Sequence, residues 1–160
     1  MTSSISGHLL RWSQARGWVR RSWLSSVPTN DRYAYLDTSA FVKLCWPEPE
    51  SDVLHAYLRE WPLRVSAGLL WTEALRAAQR QPAARVEQTQ RLLQRMPMLE
   101  VDRALFRQAG LLGPSNMRSL DALHVAAAMS LGPDLGVVIT YDDRMLAAAG
   151  LFGLPVVCPS

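Results

Sequence analysis

The chain has 160 residues, of which 49% are hydrophobic, and this suits a single domain with a buried core. It contains no run of about 18 apolar residues, so the sequence predicts no membrane-spanning helix. The net charge of +3 is unevenly placed, because residues 1–32 hold five arginines against one aspartate. The basic balance therefore belongs to the start of the chain and does not by itself indicate a nucleic-acid partner.

Residues 1–30 are rich in Ser, Arg and Trp and contain no acid. They lack the continuous apolar segment of a secretory signal. Their composition resembles an organellar transit peptide, but a flexible extension or a start site placed too far upstream agrees with it equally well. A turn at "SSVPTND", residues 25–31, marks the boundary. We therefore expect a basic, flexible N-terminal extension over residues 1–30 and a folded domain over residues 31–160.

Strand and helix patterns alternate from residue 33 onward. Apolar strands are predicted over residues 33–36, 63–66, 98–102, 136–140 and 155–160. Helical spacing predicts helices over residues 39–46, 50–61, 67–81, 84–96, 103–112, 119–131 and 142–153, two of them capped by Ser66 and Ser119. Strands separated by helices in this way indicate an α/β fold with a parallel sheet.

The two cysteines lie far apart in apolar sequence. We expect Cys45 and Cys158 to be buried thiols and not a disulfide or zinc pair. Unpaired thiols are typical of the reducing cytoplasm, which is the predicted location.

Acidic residues recur where the predicted strands end or the following helices begin. Asp37 ends the first apolar strand, and Asp142 and Asp143 follow the "VVIT" strand. Asp121 lies in the first turn of its helix, and Glu73 lies on the helix after the second strand. Sites in parallel sheets form beyond the carboxyl ends of the strands, so we expect these acids to share one rim.

Taken singly, most of these acids have an ordinary explanation as helix caps or solvent-facing positions. Asp37 is the exception, because an apolar strand and an apolar helix flank it. Converging carboxylates without partners would repel each other, and some would protonate. A hard divalent cation removes that repulsion, and oxygen ligands favour Mg²⁺ or Mn²⁺ over zinc. Such a cation activates water and offsets charge on phosphate, so the pattern indicates chemistry on a phosphate group.

Four sequence blocks carry a family resemblance: "YLDTSAFVKL", "LLWTEALRA", "RSLDALHVAAAMSL" and "VVITYDDRMLAAAGLFGLPVV". In order and spacing they resemble the motifs of PIN-domain ribonucleases of the VapC toxin type, over roughly residues 33–159. The resemblance implies an α/β/α sandwich around a central parallel sheet of about five short strands. It also implies a Mg²⁺- or Mn²⁺-dependent endoribonuclease for structured RNA such as tRNA or rRNA, a cognate antitoxin and a homodimer.

By matching position, the resemblance assigns the acids. Asp37 and Asp121 resemble the principal metal ligands, Glu73 resembles the third acid and Asp142 the fourth, with Asp143 beside it as a helper. Members of the family usually begin a few residues before the first aspartate, so the resemblance gives residues 1–30 no role.

The resemblance also indicates residues that support the acids or the substrate. Thr38, Ser39 and Thr140 match hydroxyls that orient an acid or touch phosphate. Arg118 matches a basic position that steadies RNA or an acid. Together with some of the seven arginines between residues 76 and 107, Arg118 is expected to hold the RNA backbone.

His124 follows Asp121 by three residues and has two interpretations. It could act as a general base in hydrolysis. The apolar helix around it favours instead a packed histidine or one that supports an acid from behind.

Other classes of protein also place acids at strand ends. A phospho-receiver domain would need an acidic pair at its first strand and a later strand-end lysine, but Lys43, the one lysine, lies in the first predicted helix. A haloacid-dehalogenase-type phosphatase would need a second aspartate where Ser39 stands. A catalytically silent PIN-like module that binds RNA or a partner stays open as the alternative, and metal-dependent RNA cleavage separates these classes.

Overall fold

The computed structural model describes Leu9–Leu10 and residues 31–160 of the chain. The predicted flexible extension therefore lies outside the described residues, apart from those two leucines. They form a strand that the sequence pattern did not indicate, because two residues are too few to show an alternation. No helix in the described part is long and apolar enough to cross a membrane.

The described elements alternate between strand and helix from residue 33 onward. The strands are β1 (Leu9–Leu10), β2 (Tyr33–Leu36), β3 (Arg64–Ala67), β4 (Met98–Leu99), β5 (Leu135–Ile139) and β6 (Val156–Val157). The helices are α1 (Thr38–Cys45), α2 (Ser51–Tyr57), α3 (Leu70–Ala78), α4 (Ala83–Leu93), α5 (Arg103–Leu111), α6 (Ser119–Ser130) and α7 (Asp143–Leu151), with 3₁₀ turns at Leu58–Glu60 and Gly132–Asp134.

The strands form one parallel sheet in the order β1-β4-β3-β2-β5-β6. From β2 the chain runs outward through β3 to β4, and then crosses back to β5 on the other side of β2. The strand order thus reverses between β2 and β5, and crevices at such switch points are where ligands bind in open α/β sheets. The predicted parallel sheet of about five short strands is confirmed, with β1 added at one edge.

Helices cover both faces of the sheet, and residues of one strand alternate between them. In β2, Tyr35 packs into a core with residues of α5, α6 and α7. Its neighbours Ala34 and Leu36 pack on the opposite face with residues of α1 and α2. A third cluster joins α1 to α3 and α4. The fold is therefore the expected α/β/α sandwich, and β2 is buried on both sides, as its apolar sequence predicts.

Gly136 in β5 allows the closest approach in this core. A Cβ atom there would lie 2.2 Å from Cζ3 of Trp61, which precedes β3 and is itself buried. Real Cβ contacts are essentially never that short, so only glycine lets the indole ring approach the strand this closely.

Three local expectations were wrong. Ser66 lies inside β3 and donates to the Leu36 carbonyl at 2.6 Å, so α3 begins later without a side-chain cap. Ser119 is the first residue of α6, and the N-cap position belongs to Arg118. Cys45 is buried as expected, but Cys158 is exposed, because it lies beyond the last strand.

Candidate active site

The register of the sheet brings Asp37 and Thr140 together. Leu36 pairs with Ile139, and the next residue of each strand is Asp37 and Thr140. Thr140 Oγ1 donates to Asp37 Oδ2 at 2.7 Å. Two residues separated by 103 positions in sequence thus meet at the switch point of the sheet.

Asp37 also caps α1, which explains why the strand ends there. Its Oδ1 accepts hydrogen bonds from the Ala40 backbone N–H at 3.0 Å and from Ser39 Oγ at 2.7 Å. The side chain is only 4% exposed, and every donor to it is neutral. Burial raises the pKa of Asp37, against the lowering influence of His124 and of these hydrogen bonds.

The same two hydroxyls connect Asp37 to the loop after β5. The Tyr141 backbone N–H donates to Ser39 Oγ at 2.7 Å, and the Asp142 N–H donates to Thr140 Oγ1 at 3.1 Å. Each hydroxyl therefore accepts a hydrogen bond from the loop and donates one to Asp37. The position of Asp142 is tied in this way to the carboxylate of Asp37.

Glu73, on α3, accepts two hydrogen bonds at one oxygen. Its Oε2 receives Thr38 Oγ1 at 2.6 Å and lies 2.9 Å from His124 Nε2. Burial alone would raise the pKa of Glu73, but the hydrogen bonds from His124 and Thr38 outweigh it, so that pKa lies below its ordinary value. Thr38 therefore orients Glu73 and not the neighbouring Asp37.

Asp121 and Asp142 lie at the starts of α6 and α7. Asp121 is half-buried and takes no hydrogen bond from any residue that the structure describes. Burial and the charge of Asp142 raise its pKa, against the effects of Arg144, Arg118 and His124. Asp142 caps α7 through the Arg144 N–H at 2.8 Å and pairs with the Arg144 guanidinium at 3.2 Å. These contacts lower the pKa of Asp142 although burial acts in the opposite direction.

Three of the four acids lie near His124. A protonated His124 lowers the pKa values of Asp37, Glu73 and Asp121, and the charge of Asp142 raises that of Asp121, so Asp142 is linked to this group through Asp121. As placed, no three His, Cys, Asp or Glu side chains within residues 31–160 converge closely enough to hold one metal ion.

Two other predicted residues lie at the surface. Asp143 is the exposed first residue of α7 and takes no hydrogen bond from the described residues. Arg118 is exposed at the N-cap position of α6 and acts on Asp121 through its charge. Tyr35, whose hydroxyl lies 2.7 Å from His124 Nδ1, belongs to the site although no sequence motif marks it. A tyrosine in an otherwise aliphatic buried strand was the available signal, because a buried hydroxyl needs a partner.

The chemistry of these side chains fits a hard divalent cation. The four carboxylates offer oxygen atoms only, as Mg²⁺ and Mn²⁺ prefer. Burial is the main cause that raises the pKa values of Asp37 and Asp121, and neither acid forms an ion pair with a described lysine or arginine. A cation bound at this rim would offset the negative charge of these two carboxylates.

A cavity of about 420 Å³ lies at the other end of the sheet. Tyr33, Leu63 and Pro97 line it at the amino ends of β2, β3 and β4, together with Arg64 and Arg95. No acid lines this cavity, so it is separate from the carboxylate rim at the carboxyl ends.

Comparison with known proteins agrees with this geometry. The sequence profile of the PIN domain matches residues 34–151. The chain belongs to the PIN-domain family. This PIN domain is 45% identical over 126 residues to Ribonuclease VapC46 of Mycobacterium tuberculosis, a match that covers 79% of this chain and 97% of the relative. Ribonuclease VapC47 of the same species is 32% identical over 131 residues, with 78% and 96% covered. The predicted membership among VapC-type PIN ribonucleases is confirmed.

A solved structure shares the fold. The PIN domain matches VapBC-5 from Mycobacterium tuberculosis, described as a member of the VapBC family of toxin–antitoxin systems, with a TM-score of 0.53 and 20% sequence identity. The match covers 79% of this chain and 98% of the solved chain.

Proposed function

We propose that this PIN domain is a Mg²⁺- or Mn²⁺-dependent endoribonuclease and that Asp37, Glu73, Asp121 and Asp142 hold the cation. The buried carboxylate of Asp37 carries the proposal, because it lies at the switch point with neutral donors only. An ionised group buried without a counter-charge is costly, and a cation supplies that charge. Two VapC relatives are named ribonucleases, which supports RNA as the substrate class.

The residues of the chain divide the work of hydrolysis. A bound divalent cation would activate water and offset charge on the phosphate. Asp37 is held rigidly by Ser39 and Thr140, whereas Asp121 takes no hydrogen bond from the described residues that it would have to break before it binds a ligand. Arg118 and some of the exposed arginines between residues 76 and 107 hold the RNA backbone. As the family resemblance implies, attack by water leaves a 5′-phosphate and a 3′-hydroxyl.

The partners follow from the same family membership. We propose a structured RNA target such as tRNA or rRNA in the cytoplasm, and a cognate antitoxin that blocks the site, in line with the VapBC description of the matched structure. A homodimer is supported by large apolar side chains that α5, α6 and α7 leave exposed. These side chains are Phe106, Leu111, Leu120, Leu146 and Leu151. Because α5 packs on α6 and α6 on α7, a second copy could cover them together.

RNA cleavage tests the catalytic part of the proposal. The full chain is incubated with total tRNA and rRNA in Mg²⁺, in Mn²⁺ and in chelator, beside Asp37→Asn, Asp121→Asn and the matched surface variant Asp52→Asn. We expect metal-dependent cutting by the wild type and Asp52→Asn, and none by the other two. Cleavage that survives in both Asp37→Asn and Asp121→Asn would refute the four-carboxylate site. RNA that is bound but uncut under every condition favours the silent binding module.

Sedimentation tests the dimer. Leu111→Asp and Leu151→Asp add charge to the exposed apolar side chains of α5 and α7, whereas Val53→Asp does so on α2, on the other face of the sheet. We expect the first two variants to be monomers and the third to keep the wild-type mass. A monomeric wild type at micromolar concentration would contradict the homodimer.

A further inference from the structure

A buried chain of hydrogen bonds runs from the core of the domain to Glu73. The Tyr35 hydroxyl lies 2.7 Å from His124 Nδ1, and His124 Nε2 lies 2.9 Å from Glu73 Oε2. The rings of Tyr35 and His124 meet edge to face at a centroid distance of 5.9 Å. Tyr35 has no exposed surface and His124 is 4% exposed, so water does not compete for these contacts.

The partners determine which atoms carry the protons. A carboxylate can only accept a hydrogen bond, and Glu73 Oε2 also takes one from Thr38 Oγ1. A neutral imidazole has a single N–H, and in contact with Glu73 that N–H stands on Nε2. Nδ1 is then an acceptor, and the Tyr35 hydroxyl is its donor.

This arrangement leaves His124 unsuited to act as a general base. Both ring nitrogens already form hydrogen bonds, and His124 is one of the buried residues of α6. A base must reach the proton that it abstracts, directly or through one water. His124 instead acts on Glu73.

One oxygen of Glu73 is fixed while the other stays open. Thr38 and His124 both donate to Oε2, and Oε1 receives no hydrogen bond from the residues that the structure describes. Oε1 is therefore the oxygen available to a cation. In metal sites, hydrogen-bond partners of a ligand orient it and tune its affinity.

We propose that Tyr35 and His124 are positioning residues for Glu73: Tyr35 fixes the ring of His124 so that Nε2–H holds Oε2 and leaves Oε1 for the cation. This inference rests on the proposed function, because it takes Glu73 as a ligand. It adds two residues that contact neither the substrate nor the cation, and it assigns the direction of both hydrogen bonds.

The tautomer is tested first, without metal. Nitrogen-15 NMR of the full chain distinguishes a ring protonated on Nε2 from one protonated on Nδ1. We expect the Nε2–H form in the wild type, and in Tyr35→Phe the same form with a shifted Nδ1 resonance, because that variant removes only the hydrogen bond to Nδ1 and keeps the ring. The control is Tyr57→Phe, on α2, whose ring stacks on Trp61. A proton on Nδ1 in the wild type would overturn the proposed direction of the two hydrogen bonds of His124.

Metal affinity is tested second, by calorimetric titration with Mn²⁺ alone. His124→Leu removes both hydrogen bonds, and we expect at least a tenfold loss of Mn²⁺ affinity, in the range of 10–100-fold typical for such partners. His124→Gln can still place an N–H near Oε2, so its affinity should stay within about threefold of the wild type. Tyr35→Phe should lie between them. A purely structural role would lower the melting temperature and leave the affinity of the folded protein unchanged.

The outcomes separate this inference from the proposed function. If Asp37→Asn abolishes Mn²⁺ binding while His124→Leu and Tyr35→Phe bind like the wild type, the positioning role of Tyr35 and His124 is refuted and the carboxylate site stands. If Asp37→Asn and Glu73→Gln also bind Mn²⁺ like the wild type, the carboxylate site is refuted, and the positioning role toward a cation is refuted with it. The NMR result then still reports whether the hydrogen bonds exist.

Discussion

Thr140→Val removes one hydroxyl from the centre of the site and keeps the shape of the side chain. The hydroxyl donates to Asp37 Oδ2 at 2.7 Å and accepts from the Asp142 N–H at 3.1 Å, and Thr140 has no exposed surface. A hydrogen bond to a charged group contributes about 1.5–3 kcal/mol and a neutral one about 0.5–1.5 kcal/mol. We therefore expect the free energy of unfolding at pH 7 to fall by about 2–4 kcal/mol.

Thermal unfolding in the presence of chelator measures this loss. For a domain of this size, about 2–4 kcal/mol corresponds to a fall in Tm of roughly 5–15 °C. Thr89→Val is a matched control, because the buried Thr89 hydroxyl has no hydrogen-bond partner among the described residues. Thr89 only lowers the pKa of the Cys45 thiol, against the larger rise that burial causes. That variant should keep or raise the Tm. Equal losses in the two variants would refute the reasoning.

The pH dependence assigns the loss to the charge of Asp37. Burial raises the pKa of Asp37, and loss of the Thr140 hydroxyl raises it further. A raised carboxyl pKa makes the folded state bind more protons, so the charge-dependent part of the Thr140→Val deficit grows as pH rises through the folded pKa of Asp37. Well below that pKa only the part from the neutral hydrogen bond with the Asp142 N–H should remain. The deficit should also shrink in the background of Asp37→Asn, which a double-mutant cycle measures. A deficit that is independent of pH and additive with Asp37→Asn would show that the ionised carboxylate is not involved.

Four further predictions follow from the same geometry. Asp37→Asn should abolish cleavage yet raise Tm in chelator, because it removes a buried charge that opposes folding above the raised Asp37 pKa; a lower Tm would contradict this. Gly136→Ala should cost at least about 2 kcal/mol in chemical denaturation, because its Cβ would lie 2.2 Å from Trp61. A Cβ at Gly110 would meet nothing within 4 Å, so Gly110→Ala should stabilise α5 by about 0.5–1 kcal/mol. Arg118→Ala should weaken RNA binding by all sequences alike and reduce the slope of affinity against salt by about 1 in filter binding; an unchanged slope would show that Arg118 does not contact phosphate.

The framework of the fold was predictable because its signals are local. The strand before Asp37 is a continuous apolar run, and the run before Thr140 is rich in β-branched residues, so both indicate buried parallel strands. Once the sheet is parallel, its carboxyl ends lie on one edge whatever the strand order. That is why the placement of acids near that edge could be expected from the sequence.

The contacts within the site were not predictable, because they depend on register and on competition between partners. Only the pairing of Leu36 with Ile139 places Thr140 on Asp37. Ser66 could have capped a helix, but the Leu36 carbonyl on the neighbouring strand lies within reach of its hydroxyl. A sequence pattern gives no means to rank a local hydrogen bond against one formed 30 positions away.

The site orients its acids with hydroxyls where a more stable protein would use cations. Ser39 and Thr140 hold Asp37, and Thr38 holds Glu73, so the buried Asp37 carboxylate stays fixed without a described lysine or arginine as partner. The metal-free fold thus carries an electrostatic cost at Asp37 that the proposed cation would remove. A ligand at 100 times its Kd stabilises the folded state by about 2.7 kcal/mol, a gain that Asp37→Asn would forgo. The order of the two melting temperatures should therefore reverse: Asp37→Asn melts higher in chelator, and the wild type melts higher in saturating Mn²⁺.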